Sequence, residues 1–150
     1  MNMSIIVVAG TFDPFHIGHE TLLKAAFAHK ESDSVLIGVM ADTYVLNFKK
    51  REPTPYTTRA EIVKKYCFKI YKGKPFIIIC VKDAIERMAY EQIKYIVLST
   101  ERDYTSWLKA VNDMRRIPII PVFVDVVVDK NGKRISSTDI REGKIDREGK

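Results

Sequence analysis

Cysteine is almost missing from this chain of 150 residues: Cys67 and Cys80 are the only two. Two thiols build no disulfide framework, and no C-x-x-C pair occurs, so a stapled extracellular scaffold is excluded. Both lie in apolar stretches, where a buried structural thiol is the expected state. Histidine is scarce too. There are three, two of them inside one short motif, which leaves little from which to assemble a zinc site. No run approaches the ~18 apolar residues of a membrane-crossing helix. The longest, SIIVVAG at 4–10 and PFIIICV at 75–81, have the length of buried strands. The opening residues lack the basic, apolar and small-residue succession of a secretory leader. The cytoplasm is therefore the expected compartment, with no membrane partner. Internal repeats and low-complexity segments are also missing.

Charge of one sign prevails without being concentrated. The net charge is +6, which suits either nucleic acid or anionic small substrates. The basic residues are scattered: Lys49, Lys50 and Arg51; Lys64 and Lys65; Arg115 and Arg116; and the tail. No long basic helix or interleaved aromatic and basic stripe appears, so no nucleic-acid partner is expected. The length fits one domain, 1–150, with a short polar tail at 143–150 expected to be frayed or loosely packed.

Short apolar runs alternate with helical patterns. Strands are expected at 4–9, 35–40, 76–81, 95–99 and 119–128, the last one bent. Helices are expected at 19–30, 57–71, 83–90 and 104–115, and a final helical turn at 136–142. The KNGK at 130–133 reads as a turn, because Asn-Gly tolerates positive φ. Apolar strands between amphipathic helices predict an α/β fold: a doubly wound, Rossmann-like, five-stranded parallel sheet with helices on both faces. Ligands of such sheets bind beyond the carboxyl ends of the strands, where strand order reverses. That points to the loops after strands one, two and four and to the approach to the last helix.

The loop after strand one carries GTFDPFHIGH at 10–19. Gly10 allows close approach of a ligand to the backbone. Thr11 offers an amide and a hydroxyl. His16 and His19 are neighbours on one helical face, and Gly18 keeps the turn open. Placing this stretch at the start of a helix makes it a seat for phosphate, near free amides and the positive end of the dipole. Over a hundred residues later, ISSTDIR at 135–141 places Ser136, Ser137 and Thr138 before another helical turn. Capping and phosphate binding both use such an end, so the two readings are compatible there.

GTFDPFHIGH resembles the nucleotidyltransferase superfamily that shares the HIGH motif with class I aminoacyl-tRNA synthetases. ISSTDIR resembles the second signature of its small adenylyl- and cytidylyltransferases. Three further stretches resemble the archaeal-type pantetheine-phosphate adenylyltransferases: PYTTRAEIVKKY at 55–66, LSTERDYTSWLKAVNDMRR at 98–116, and the ending REGKIDREGK. The bacterial form has an R-G-L-R loop after strand four. Here that loop is Ser99-Thr100-Glu101-Arg102, so the bacterial arginine roles are not carried over. Asp139 stands where the archaeal pattern often has arginine.

The resemblance implies adenylyl transfer from ATP to 4′-phosphopantetheine by in-line attack on the α-phosphate, giving dephospho-coenzyme A and pyrophosphate. It implies His19, His16 and Lys49 as catalytic groups. Gly10, Thr11, Phe12, Gly18, Ser136, Ser137, Thr138 and Arg141 would bind ATP. Thr11, Lys50, Thr100, Asn112 and Arg115 would bind the acceptor. A solvated surface role stays open for each of Lys49, Lys50 and Arg51, and a helix-surface role for Asn112 and Arg115. Arg59 and Asp13 are expected to shape the loop. Tyr104, Trp107 and Leu108, at helical spacing, suit core packing or an apolar wall for the pantetheine arm. No protein metal site is expected. Mg2+ would ride on the ATP phosphates, because no carboxylate cluster invites it. The alternatives are adenylyl transfer to nicotinamide or flavin mononucleotide, cytidylyl transfer to glycerol phosphate, and a non-catalytic nucleotide-binding module. GKRISST matches the R-T-x-G-I-S-T-T of the glycerol-phosphate enzymes poorly. Oligomeric state stays open.

Overall fold

The apolar runs become the strands of one sheet. The computed structural model describes residues 3–83 and 85–150. In it, β1 (Ile5–Gly10), β2 (Ser34–Met40), β3 (Phe76–Val81), β4 (Ile93–Ser99) and β5 (Ile120–Val124) pair in the order β3-β2-β1-β4-β5. Every pairing is parallel. The central strands lack a polar face because both faces are covered, while the edge strands leave Ile77, Ile120 and Phe123 exposed. On one face, Leu23 and Ala26 of α1 (Ile17–Ala28) and Val63 and Cys67 of α3 (Tyr56–Ile70) pack on Ile6, Val8, Ile37 and Val39. On the other, Met88 and Val111 pack on Val7, Ile96 and Leu98. Val111 belongs to α4 (Thr105–Asp113), and Met88 to a single 3-10 turn, Glu86–Ala89. The chain adds β2 and β3 on one side of β1, then returns to place β4 and β5 on the other. The order therefore reverses between β1 and β4, whose outgoing loops separate and open a cleft.

Several details differ from the sequence-based expectations. A helical turn, α2 (Asp42–Tyr44), continues as a π-turn at Val45–Lys49 after β2. It is too short to leave an apolar period. The helix expected at 83–90 reduces to the 3-10 turn, and its Ala84 lies outside the described residues. The fifth strand stops at Val124, opposite Ser99, because β4 ends there and offers no further partner. Val128 instead pairs with Arg134 across the 130–133 turn, where Gly132 has the expected positive φ of 77°. Cys67 is buried as expected, and burial pushes its thiol up to about 12, but Cys80 on the edge strand β3 is exposed.

The largest correction concerns the tail, which is built in rather than loose. Ile145 is 5% exposed, the Lys130 amide donates to the Gly149 carbonyl at 2.7 Å, and the Ile17 amide donates to the Arg147 carbonyl at 2.9 Å. Asp146 clasps the end of the chain through the amides of Glu148 and Lys150. A Cβ on Gly149 would lie 3.0 Å from Asp129 Cα, so only glycine fits this closely.

Candidate active site

An open cleft of about 620 Å³ lies at the carboxyl ends of β1 and β4. Its floor is the motif loop, which is fixed by charge. The Asp13 carboxylate accepts from Arg51 Nη1 at 2.9 Å and from the Thr54 amide and hydroxyl, both at 2.8 Å. The Arg51 guanidinium and these two donors hold the carboxyl below its usual range, although burial, the largest single influence, acts the other way. Arg59, 1% exposed, donates to the carbonyls of Thr11, Met40 and Thr54 and to Asp42. It thereby ties the ends of β1 and β2 together, as its loop-shaping role requires. Phe12 takes a φ of 54° and buries its ring. Among the described residues, the Thr11 and Phe12 amides find no intramolecular acceptor. Both residues line the cleft.

The two histidines brace each other. His16 Nδ1 accepts from the Gly18 amide at 3.0 Å, and His19 Nδ1 accepts from the His16 amide at 3.1 Å. Their rings stack at 3.8 Å, with Phe12 and Phe15 against His19. Since each Nδ1 is an acceptor, each neutral ring carries its proton on Nε2. Burial favours that neutral form. It pushes His19 down to about 3, helped by His16 and Lys49, and His16 down to about 4, helped by Arg134. Both therefore present an uncharged Nε2–H donor at neutral pH. Gly18 is required for this arrangement, because a Cβ there would fall 2.8 Å from His16 Cε1. At Gly10 a Cβ would meet only the Phe12 ring at 3.4 Å, an ordinary contact, so packing within the chain does not demand that glycine.

The start of α1 differs from the expected row of bare amides. Ile17 N–H is closed by Arg147 O and Gly18 N–H by His16 Nδ1. The donors left at this helix start are the two imidazole Nε2–H groups.

Five cations line the cleft: Lys49, Arg51, Arg102, Arg134 and Arg141. Burial lowers the Lys49 pKa, and the four guanidiniums, Arg102 first, lower it further. Positive charge gathered this closely is the environment for a polyphosphate. Lys50 is exposed and outside the cleft, which separates the two candidate lysines. Ser136, Ser137 and Thr138 line the wall at α5 (Ser137–Arg141). Ser136 caps that turn, accepting from the Asp139 amide at 3.4 Å. Arg141 donates to Thr138 Oγ1 and to the Asp13 carbonyl at 2.9 Å, fastening the second motif to the first.

Besides Lys50, three expected acceptor contacts are not brought to the cleft. Asn112 Oδ1 accepts from the Ile119 amide at 2.9 Å. Arg115 donates to the carbonyls of Met88, Tyr90, Ile93 and Ile117, pinning α4 to the start of β4. Thr100 joins the ends of β4 and β5 through Val124 and Val126. Tyr104 and Trp107 pack on the second core cluster and also line the cleft, while Leu108 only packs. Sequence reasoning missed Arg102 and Arg134 as cleft residues. The only signal for Arg134 was a basic residue two positions before Ser136.

The sequence model of the cytidylyltransferase-like family matches residues 7–143. The phosphopantetheine adenylyltransferase of Archaeoglobus fulgidus is 34% identical over 148 residues, covering 96% of this chain and 97% of its own. That of Methanosarcina acetivorans is 33% identical over 154 residues, covering 99% and 96%. Among solved structures, a protein of unknown function from Archaeoglobus fulgidus superposes with a TM-score of 0.67 at 28% identity, covering 82% of this chain and 90% of that one.

Proposed function

The chain belongs to the cytidylyltransferase-like family and stands among its archaeal phosphopantetheine adenylyltransferases, and from that premise we propose that it transfers the adenylyl group of ATP to 4′-phosphopantetheine. A 4′-phosphate oxygen attacks the α-phosphorus. The new O–P bond forms as the bond to the β-phosphate oxygen breaks, and its electron pair leaves with pyrophosphate. Dephospho-coenzyme A, an intermediate of coenzyme A synthesis, remains. The nucleophile is already anionic near neutral pH, so no strong base is needed. The work left to the protein is positioning and charge stabilisation.

The observation that carries this reading is the pair of neutral imidazoles facing a cleft lined by five cations. In this reading His19 Nε2–H donates to an α-phosphate oxygen and His16 to the adjoining phosphate. Lys49 meets the developing charge, and Arg141 with the α5 turn takes the β- and γ-phosphates. The free amides of Thr11 and Phe12 steady the attacking phosphate. Trp107 and Tyr104 offer an apolar wall to the pantetheine arm. Mg2+ suits this site as a passenger of the nucleotide. Among the described residues no three of His, Cys, Asp and Glu converge, and Asp13 is taken up by Arg51 and Thr54. Bound to the polyphosphate, the ion would neutralise charge on its oxygens. Among the described residues no helix is long and apolar enough to cross a membrane, and we place the reaction in the cytoplasm.

The test is pyrophosphate release by purified protein. ATP or CTP would be offered with each of phosphopantetheine, nicotinamide mononucleotide, flavin mononucleotide and glycerol phosphate. Turnover is expected with ATP and phosphopantetheine. Turnover only with CTP, or only with another acceptor, overturns the assignment.

A further inference from the structure

Apart from Asp13, which is committed to Arg51 and Thr54 in the motif loop, the cationic cleft holds a second carboxylate placed against its arginines. Glu101, in the turn after β4, sets Oε2 3.2 Å from Arg134 Nε and Oε1 3.8 Å from Arg102 Nε. Its side chain is only 19% exposed, whereas those of Arg134 and Arg102 are 51% and 58% exposed. All three line the cleft. Arg134 comes from the opposite wall, two residues before Ser136, so the carboxylate spans from the β4–α4 turn to the segment entering α5. Both of its oxygens face guanidinium. An incoming polyphosphate would compete with Glu101 for the same two donors.

Neither of the usual uses of a cleft carboxylate suits Glu101. A general base is superfluous when the nucleophile is a phosphate monoester. A metal cage is not on offer among the described residues. What the pairing does is give two half-exposed guanidiniums a partner within the chain.

We infer that Glu101 is a displaceable internal counter-ion of the polyphosphate subsite. It yields Arg134 and Arg102 to the incoming nucleotide and takes them back as pyrophosphate leaves. Its effect is to weaken product binding and speed release. The inference rests on the proposed reaction for the identity of the leaving group, but its binding test needs no turnover.

The free protein would be titrated calorimetrically with inorganic pyrophosphate at low ionic strength. The wild type would be compared with Glu101→Gln, which keeps the size and polarity of the side chain and removes its charge. Asp125→Asn serves as a control, since Asp125 lines the same cleft and has no arginine partner among the described residues. Glu101→Gln should tighten pyrophosphate binding roughly 5- to 10-fold, and Asp125→Asn by less than about twofold, because a charge in direct contact outweighs one acting through the general field. Product inhibition by pyrophosphate should steepen in parallel. Unchanged or weaker binding in Glu101→Gln overturns the inference, because Glu101 would then be ordering the arginines for the ligand. An equal gain in Asp125→Asn also overturns it. Failure of the protein to turn over any acceptor would refute the proposed reaction and leave the titration readable.

Discussion

The N–H of Ile17 donates to the carbonyl oxygen of Arg147 at 2.9 Å, so the first amide of the helix bearing both histidines is closed by the far end of the chain. The same tail grips the 129–135 turn through Gly149, immediately before Ser136. Residues 145–150 thus tie the two motif-bearing segments to one another, and Ile145, 5% exposed, is the buried apolar side chain of that tail.

Ile145→Ala should therefore cost about 2–4 kcal/mol of stability, the range for truncating a buried aliphatic side chain. Urea unfolding followed by circular dichroism measures it. A change below about 0.5 kcal/mol would mean that the tail is as loosely held as its polar composition suggests.

His19 offers its two ring nitrogens to different tasks, and substitutions can separate them. Asparagine can imitate the Nδ1 acceptor that holds the His16 amide, but it has nothing at Nε2. Glutamine reaches the Nε2 position. His19→Ala and His19→Asn should each lower kcat roughly 100-fold or more, the loss typical of one oxyanion donor, with His19→Gln retaining part of the rate. Steady-state kinetics with ATP and phosphopantetheine decide it. Near-normal turnover in His19→Asn would remove Nε2 from the chemistry.

The strands could be read from the sequence because each is an apolar run of the length that a covered parallel strand demands. The motif residues could be read because glycine, histidine and serine at fixed spacing have few reasons to coincide. Other features leave no such trace. The tail works through backbone carbonyls, to which composition is blind. Glu101 and Arg134 meet across 33 positions of sequence without any periodic pattern, and their pairing exists only once the sheet has brought two loops together. Asn112 and Arg115 show the reverse. The family resemblance suggested acceptor binding, but the free backbone groups around the start of β4 and of β5 claim them.

The buried histidines set a pH limit. Their folded values, about 4 for His16 and about 3 for His19, lie below the ordinary 6.5. The unfolded chain therefore binds protons first as pH falls. This source of stability is intact above pH 6.5 and declines below it, by up to about 1.4 kcal/mol per pH unit for each ring, until the folded values are reached. Ring-proton resonances should show neither histidine titrating between pH 5 and 8, while the unfolding midpoint drops as pH is lowered from 6.5 to 4.5. A resonance of His16 or His19 titrating near pH 6.5 in the free protein would contradict the neutral Nε2–H assignment.

Arg115 separates a structural from a binding role. Its guanidinium reaches the carbonyls of Met88 at 2.6 Å, Tyr90 at 2.9 Å and Ile93 at 2.5 Å, and its Nε reaches Ile117 at 3.0 Å. Four of the five N–H donors of this charged fork are taken by backbone carbonyls, and the fork lies outside the residues that line the cleft. Removing the fork strands partly buried carbonyls, and each hydrogen bond to a charged group is worth about 1.5–3 kcal/mol before water replaces it. Arg115→Ala should thus destabilise the fold by about 2–4 kcal/mol, with water compensating at the exposed carbonyls of Tyr90 and Ile117. The KM for phosphopantetheine, measured well below the melting temperature, should stay within about twofold, since the cleft loses no contact. If KM instead rises tenfold or more while the unfolding midpoint holds, Arg115 binds the acceptor and the clamp is incidental.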